Sequence, residues 1–470
     1  MTEQDPRRWL ALGSLLLALV LVVMGNTIVN VAVPTMVREL DTTLSTMQWV
    51  VTGYSLVFAT FLVIGGRFGD LFGARRMFVL GAAIFGVGSL LGATAPNVGV
   101  LLVGEALVKG IGASLLMPAS LALVSNTFRG AERATAFAAW GAVLGAGMAF
   151  GPVVGGYFTT YHSWRWAFGF NVVLAPVAIA GALLLVPPDL PGGIRRRIDV
   201  PGAILVAAGT FGLVFSISQG RSYGWTDARI LTAIVLALGA LVAFVAVERA
   251  KERAGEEALF ELGQLRHLRL RYGLIAQLVL AMGQMGQFFV LPVFLQNAKG
   301  LTPNENGLWM LPMGLAILAF AQIGGRLART FGTVAVVRVG LVLNASGLVL
   351  IALGLEPDVT FLTLLPAFTV FGAGVGLASS QLTNVILADV EPDKAGVVSG
   401  ANSTVRQVGS ALGVAVMGAI LAGQADVAGA ARSAVMVATA MLIVGVVLAF
   451  RIPTDGRPVP TLVEPVEAVP

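Results

Sequence analysis

Long apolar runs separated by short polar breaks make up almost the whole chain. Windows of about 20 apolar residues, enough to cross a bilayer as a helix, lie near 11–35, 46–66, 77–95, 98–122, 134–158, 166–186, 201–219, 230–247, 272–296, 306–325, 339–355, 359–382, 396–422 and 433–450. This pattern predicts an all-α integral membrane protein with fourteen transmembrane helices. The strongest breaks are PPDLPGGIRRRID (187–199) and ERAKERAGEEALFELGQLRHLRLR (248–271). The thinnest is the PN dipeptide between the third and fourth windows. The first window lacks a small-residue cleavage site and is too long for a signal peptide, so it reads as a retained span.

Composition agrees with that reading: 57% of residues are hydrophobic and 12% charged, against about 25% charged in soluble proteins. An even number of spans puts both termini on one side. With that side cytoplasmic, 22 of the 30 basic residues fall inside and 6 outside, a strong positive-inside bias. The expected location is the inner or plasma membrane, and the net charge of +5 needs no nucleic acid to explain it. There is no cysteine, and the two histidines, His162 and His267, lie in separate breaks. Neither a disulfide nor a histidine metal site is expected, and nothing points to a cofactor.

Two stretches repeat. GGRFGDLFG (65–73) and GGRLARTFG (324–332) share five of nine positions at an offset of 259 residues, each following a second span of its half. The implied layout is 6+2+6. A six-helix half covers 1–190, two inserted helices and a linker 191–250, a cytoplasmic loop 251–271, a second half 272–452 and a cytoplasmic tail 453–470. Parallel six-helix halves are a transporter architecture, with the substrate near the midplane between them. No G-x-x-x-x-G-K-[ST] loop is present, which argues against ATP-driven transport. A membrane enzyme should cluster catalytic residues and a sensor should carry a soluble output domain, and the sequence has neither.

The turn GRFGDLFGARR (66–76) resembles the signature loop of the major facilitator superfamily. In span 5, GMAFGPVVGG (147–156) is similar to that superfamily's antiporter motif, through Gly147, Gly151, Pro152, Gly155 and Gly156. Small residues at spacing four let helices touch, and the proline permits a bend. SWRWAFGFN (163–171), RIDVPG (197–202), LQN (295–297), GLWMLP (307–312) and AGVVSGANSTVRQVG (395–409) extend the likeness over residues 8–450. Together they resemble the fourteen-helix drug:proton antiporter family. The resemblance implies export of small hydrophobic or amphipathic compounds from the lipid bilayer or cytoplasm, in exchange for protons, by alternating access. It also implies an inner gate in which Asp70, flanked by Arg75 and Arg76, meets the start of span 13. Arg406 in that span takes a structural or gating role.

Two departures matter. In MGNTIVNVAVP (24–34) Gly25 stands where the family keeps an acid, and in GEALVKGIG (104–112) Ala106 stands where it keeps an arginine. Two other charges, Glu105 and Lys109, appear four residues apart in the favourable order for a helical pair. Glu105 becomes the candidate proton carrier and Lys109 the group that sets its affinity. Asn26, Thr27 and Asn30 in span 1 and Gln284 and Gln287 in span 9 are the uncharged cavity candidates. The absent acid and arginine keep a second expectation open, an uncoupled or differently coupled exporter of a specific metabolite, lipid or self-made antibiotic.

Overall fold

Inside hydrocarbon a chain must satisfy its own backbone amides, and a helix does so within one segment. The computed structural model describes residues 7–128, 130–189, 199–255, 262–390, 395–422 and 426–454. Among them there is no β-strand, and there are fourteen long helices. They are α1 (Arg7–Glu39), α2 (Leu44–Phe72), α3 (Ala74–Ala93), α4 (Val98–Thr127), α5 (Gly130–Tyr161), α6 (Trp166–Leu185) and α7 (Val200–Tyr223). The remainder are α8 (Ala228–Ala254), α9 (Leu268–Asn297), α10 (Pro303–Phe331), α11 (Thr333–Gly354), α12 (Phe361–Leu387), α13 (Ala395–Leu421) and α14 (Val427–Ala449). Twelve are long and apolar enough to cross a membrane. The other two, α2 and α5, run for 29 and 32 residues in the same bundle.

The thin break at PN separates two helices because Asn97 caps the second, its side chain accepting from the Val100 N–H at 3.1 Å. The repeated turns share one geometry. Gly73 and Gly332 follow α2 and α10 at φ 98° and 84°, in the region glycine enters without steric cost. Each returns its N–H to a carbonyl four residues back, Gly69 and Ala328, at 3.0 Å.

Helices α1–α6 pack as one group and α9–α14 as another, and the α7–α8 pair lies against α2 and α13. Between the groups α5 meets α10, α2 meets α13 and α1 meets α9. At the face holding both described chain ends, two ion pairs each lie within a group: Arg8 to Glu132 at 2.6 Å and Arg269 to Asp389 at 3.0 Å. Several hydrogen bonds that join the groups lie toward the far face. Gln296 donates to the Val31 carbonyl at 2.8 Å, Gln48 to those of Val414 and Ala415 at 3.1 and 2.9 Å, and the Asn304 N–H to Thr160 at 2.9 Å.

The apolar core divides the same way. Met24 to Met36 of α1 and Met47 to Val51 of α2 share one cluster with the second group, whereas Ala11 to Val22, Tyr54, Phe58 and Leu62 belong to a cluster confined to the first. Leu56 packs instead with Val214, Ala411 and Ala415. The two groups are therefore fused at the far face.

Candidate functional site

Helix α4 is not α-helical throughout. Residues Leu102–Val108 form a π-helical stretch, and the Lys109 N–H returns to the Gly104 carbonyl five residues back. Such insertions cost helix stability and collect at functional positions. This one carries Glu105 and ends at Lys109. The Lys109 Nζ lies 2.7 Å from both Glu105 carboxylate oxygens and 3.3 Å from the Gly25 carbonyl. Rings of Tyr54, Phe85 and Phe168 surround it at 5.5, 5.1 and 5.6 Å from their centroids. Glu105 is 2% exposed and Lys109 0%. The pair is thus sealed inside the first group, between α1, α2, α3 and α6.

That packing accounts for both departures in the sequence. A Cβ at Gly25 would lie 2.9 Å from Asn171 Nδ2 and 3.2 Å from Lys109 Nζ, so the ammonium fills the volume a side chain there would use. Ala106 faces Gly53, where an added Cβ would come within 2.8 Å of its own, leaving a long side chain at 106 no room. Asn171, fully buried beside Gly25, has neither amide atom partnered among the described residues. Sequence reasoning missed Asn171 as a polar group, although it closes the SWRWAFGFN stretch.

The small residues of α5 serve two neighbours at once. Gly147, Gly151 and Gly155 lie against α1 at Val23, Thr27 and Ile28, while Gly156 and the Pro152 carbonyl lie against α10 at Pro303 and Gly307. The Thr27 hydroxyl is 3.3 Å from the Gly147 carbonyl and within reach of two carbonyls of its own helix. Thr27 is therefore a helix–helix contact, 1% exposed, rather than an open cavity surface. Asn30 is also buried, at 2%.

Other expected residues separate in space. The side chains of Asn26 and Asp70 lie outside the described residues. Backbone N–H groups of Arg75 and Arg76 donate to the Asp189 carboxylate at 2.9 and 3.1 Å, and the Arg75 Nε donates to the Ala182 carbonyl at 3.2 Å. Both arginines thereby tie α3 to the end of α6 inside one group, a carboxylate meeting a helix N-terminus as its dipole favours. Asp189 was read in the sequence only as part of a break. Gln284 donates to the Met148 sulfur at 3.0 Å across the groups, and Gln287 is fully buried with no partner among the described residues. No set of three acidic or histidine side chains among the described residues could hold a metal ion.

The profile described as Major Facilitator Superfamily matches residues 15–414. The chain belongs to that superfamily. Among similar members are the puromycin resistance protein pur8 of Streptomyces alboniger, 37% identical over 89% of this chain and 83% of its own, and a probable actinorhodin transporter of Streptomyces coelicolor, 36% identical over 89% and 73%. The multidrug transporter protein MdtP of Bacillus subtilis is 29% identical over 89% and 76%. A crystal structure of an auto-inhibited POT family peptide transporter superposes with a TM-score of 0.68 at 15% identity, covering 97% of this chain and 99% of that one; this likeness is one of fold alone.

In this superfamily member the contacts between the two groups run through α5–α10, α2–α13 and α1–α9. Helix α2 also lines the pocket of the charge pair, as does α1. Helix α1 carries Gly25 at the pair and Thr27 and Ile28 at the α5 glycines.

Proposed function

We propose that the protein is a secondary transporter that exports hydrophobic or amphipathic drugs or antibiotics by alternating access between its two halves, in exchange for protons. The carrying observation is kinship: up to 37% identity across nearly nine-tenths of the chain with proteins named for antibiotic resistance or transport. On the basic-residue bias, the terminal face is the cytoplasmic one, all fourteen helices cross the bilayer, and the described conformation is shut toward the outside. Asn26, Asn30, Gln284 and Gln287 are the polar positions assigned to the substrate path. Asp70 is assigned to the inner gate, which forms only when the terminal face closes.

Glu105 is assigned the proton and Lys109 its affinity. Support comes from the π-turn and from the burial of the pair, since an intramembrane charge pair is costly to keep without use. Movement of α1 withdraws the Gly25 carbonyl, loosens Lys109 and lets the carboxylate bind a proton. The test uses purified protein in liposomes with an imposed pH gradient and a fluorescent substrate. Wild type should move protons against substrate, and Glu105→Gln should move substrate only down its own gradient. A Glu105→Gln protein that still accumulates substrate uphill on the pH gradient would remove Glu105 from the mechanism. The second reading, an uncoupled exporter, is favoured by Gly25 and by the sealing of the pair, and predicts no proton movement in wild type either.

A further inference from the structure

Three charged side chains among the described residues lie seven or more positions from either end of their helix: Glu105, Lys109 and Arg406. The first two neutralise each other at 2.7 Å. Arg406 stands alone. Its guanidinium makes no ion pair or hydrogen bond among the described residues; the Nε is buried without a partner, and the side chain as a whole is half-buried. It sits eleven residues into α13, at a depth of about 16 Å, far from the helix end where a gate contact would form.

Helix register shows what it faces. At about 100° per residue, Arg406 shares a face of α13 with Asn402, Gly409 and Gly413. Gly409 and Gly413 pack on the α9 backbone at Leu278 and Met282, and Asn402 donates to Thr383 of α12 at 3.3 Å. The opposite face of α13, with Thr404, Val408 and Ala415, is the one turned to α2 and α7. Arg406 therefore points between α9 and α12, into the interior of the second half and away from lipid. A cation left without a counter-ion in a low-dielectric interior is expensive, and proteins retain one there when a partner arrives from elsewhere.

We propose that Arg406 is the anion-recognition residue of the transport path and that the cargo is an anionic amphipathic molecule carrying a carboxylate or an ionised phenol. This rests on the exporter reading above and narrows its substrate class. The planar guanidinium offers paired donors to a carboxylate, and the same charge repels organic cations. The driving force follows from the sign. A membrane potential of 100 mV, inside negative, biases a monoanion outward about fiftyfold, so such cargo leaves without an acid on α1. Gly25 is then an affordable loss.

The test is transport by the purified full-length protein in liposomes, comparing fluorescein, a xanthene anion, with rhodamine 123, a xanthene cation. Wild type should carry fluorescein at least about tenfold faster than rhodamine 123, the lower end for one hydrogen bond to a charged group. A potassium diffusion potential that is negative on the side holding the dye should accelerate fluorescein efflux. Arg406→Gln should abolish the preference and Arg406→Lys should keep part of it, both with wild-type melting temperatures. Transport of rhodamine 123 as fast as fluorescein, or a folded Arg406→Gln that keeps the anion preference, overturns the proposal and leaves the exporter reading standing. Movement of neither dye counts against both. Should Arg406→Gln fail to fold, the wild-type dye preference and its response to potential decide the matter.

Discussion

The Glu105–Lys109 pair permits a sharp energetic test, because the two partners fail differently when left alone. Lys109→Met leaves a carboxylate that is 2% exposed with no cation near it. Breaking a buried pair in this way costs about 3–5 kcal/mol. Glu105→Gln is milder. The ammonium keeps the Gly25 carbonyl at 3.3 Å and three ring faces within 5.6 Å, the rings contributing roughly 0.5–2 kcal/mol each, and the new amide oxygen still accepts from it. Combining Glu105→Gln with Lys109→Met removes both charges at nearly constant volume, which for buried pairs is close to neutral or even stabilising.

The expected order of stability is thus double mutant near wild type, then Glu105→Gln, then Lys109→Met, with a coupling energy on the order of 3 kcal/mol. Seven tryptophans supply the signal for intrinsic-fluorescence melting of the detergent-solubilised protein, and the absence of cysteine removes thiol oxidation as a complication. A double mutant that melts at the sum of the two single losses would show that the side chains do not act as a unit. The whole account of the site would then fail with it.

Two further perturbations probe the fold around the site. At Gly156 a Cβ would run into the Pro303 carbonyl of α10, so Gly156→Ala should cost about 1–3 kcal/mol by overpacking and loosen the closed far face. A single cysteine replacing Gln296, in a chain with none of its own, should then label faster from that side, and an unchanged rate would rule out the α5–α10 seam as the closure. Where the start of α7 meets the end of α8, Asp199 caps α7, accepting from the Gly202 N–H at 2.8 Å. Burial pushes the Asp199 carboxyl up, but hydrogen bonds from Lys251, the Glu248 carboxyl and Gly202 outweigh it and hold it below the ordinary value. A depressed carboxylate stabilises the fold above its unfolded pKa of about 3.9, and that contribution fades as pH falls through the lower folded value. Asp199→Asn should therefore melt earlier than wild type at pH 7, with the gap closing below about pH 4; a gap independent of pH would mean the carboxylate charge contributes nothing.

The helices were legible because bilayer thickness sets their length and hydropathy marks it. Even the PN break was readable, since Asn97 is a residue type that caps. The repeat was legible through Gly73 and Gly332, which no other residue replaces cheaply at positive φ. Helix faces were harder to read. Thr27 and the asparagines of α1 look alike in sequence, and only the approach of Gly147 and Gly151 shows that Thr27 belongs to a helix contact. The sequence placed Arg75 and Arg76 in a signature loop, but it did not show that Asp189 folds back onto their backbone N–H groups. That contact joins residues more than one hundred positions apart, which no local pattern encodes. Asn171 closed a stretch that the sequence did single out, but its place beside Gly25 and the π-turn at 102–108 left no sequence signal, because both are consequences of packing around Lys109.

The odd residues of α1 and α4 reduce to a single rearrangement. Lysine at 109 needs volume, and glycine at 25 supplies it, since a Cβ there would lie 3.2 Å from the ammonium. The ammonium in turn needs a counter-ion, and Glu105 one turn away on the same helix provides one with both oxygens. Ala106 follows because the turn that presents Glu105 presses position 106 onto Gly53. An acid lost from α1 and an acid gained on α4 are therefore one substitution of sites across a shared pocket, and the pair that results is electrically neutral. The only uncompensated charge deep among the described helices is then in the second half, on Arg406. A transporter that carried its coupling acid and its substrate charge in one central cavity would have them compete. In the roles proposed above, the pair in α4 and the guanidinium in α13 would lie in separate groups of helices, so a proton on Glu105 and an anion at Arg406 would each bias the motion without displacing the other.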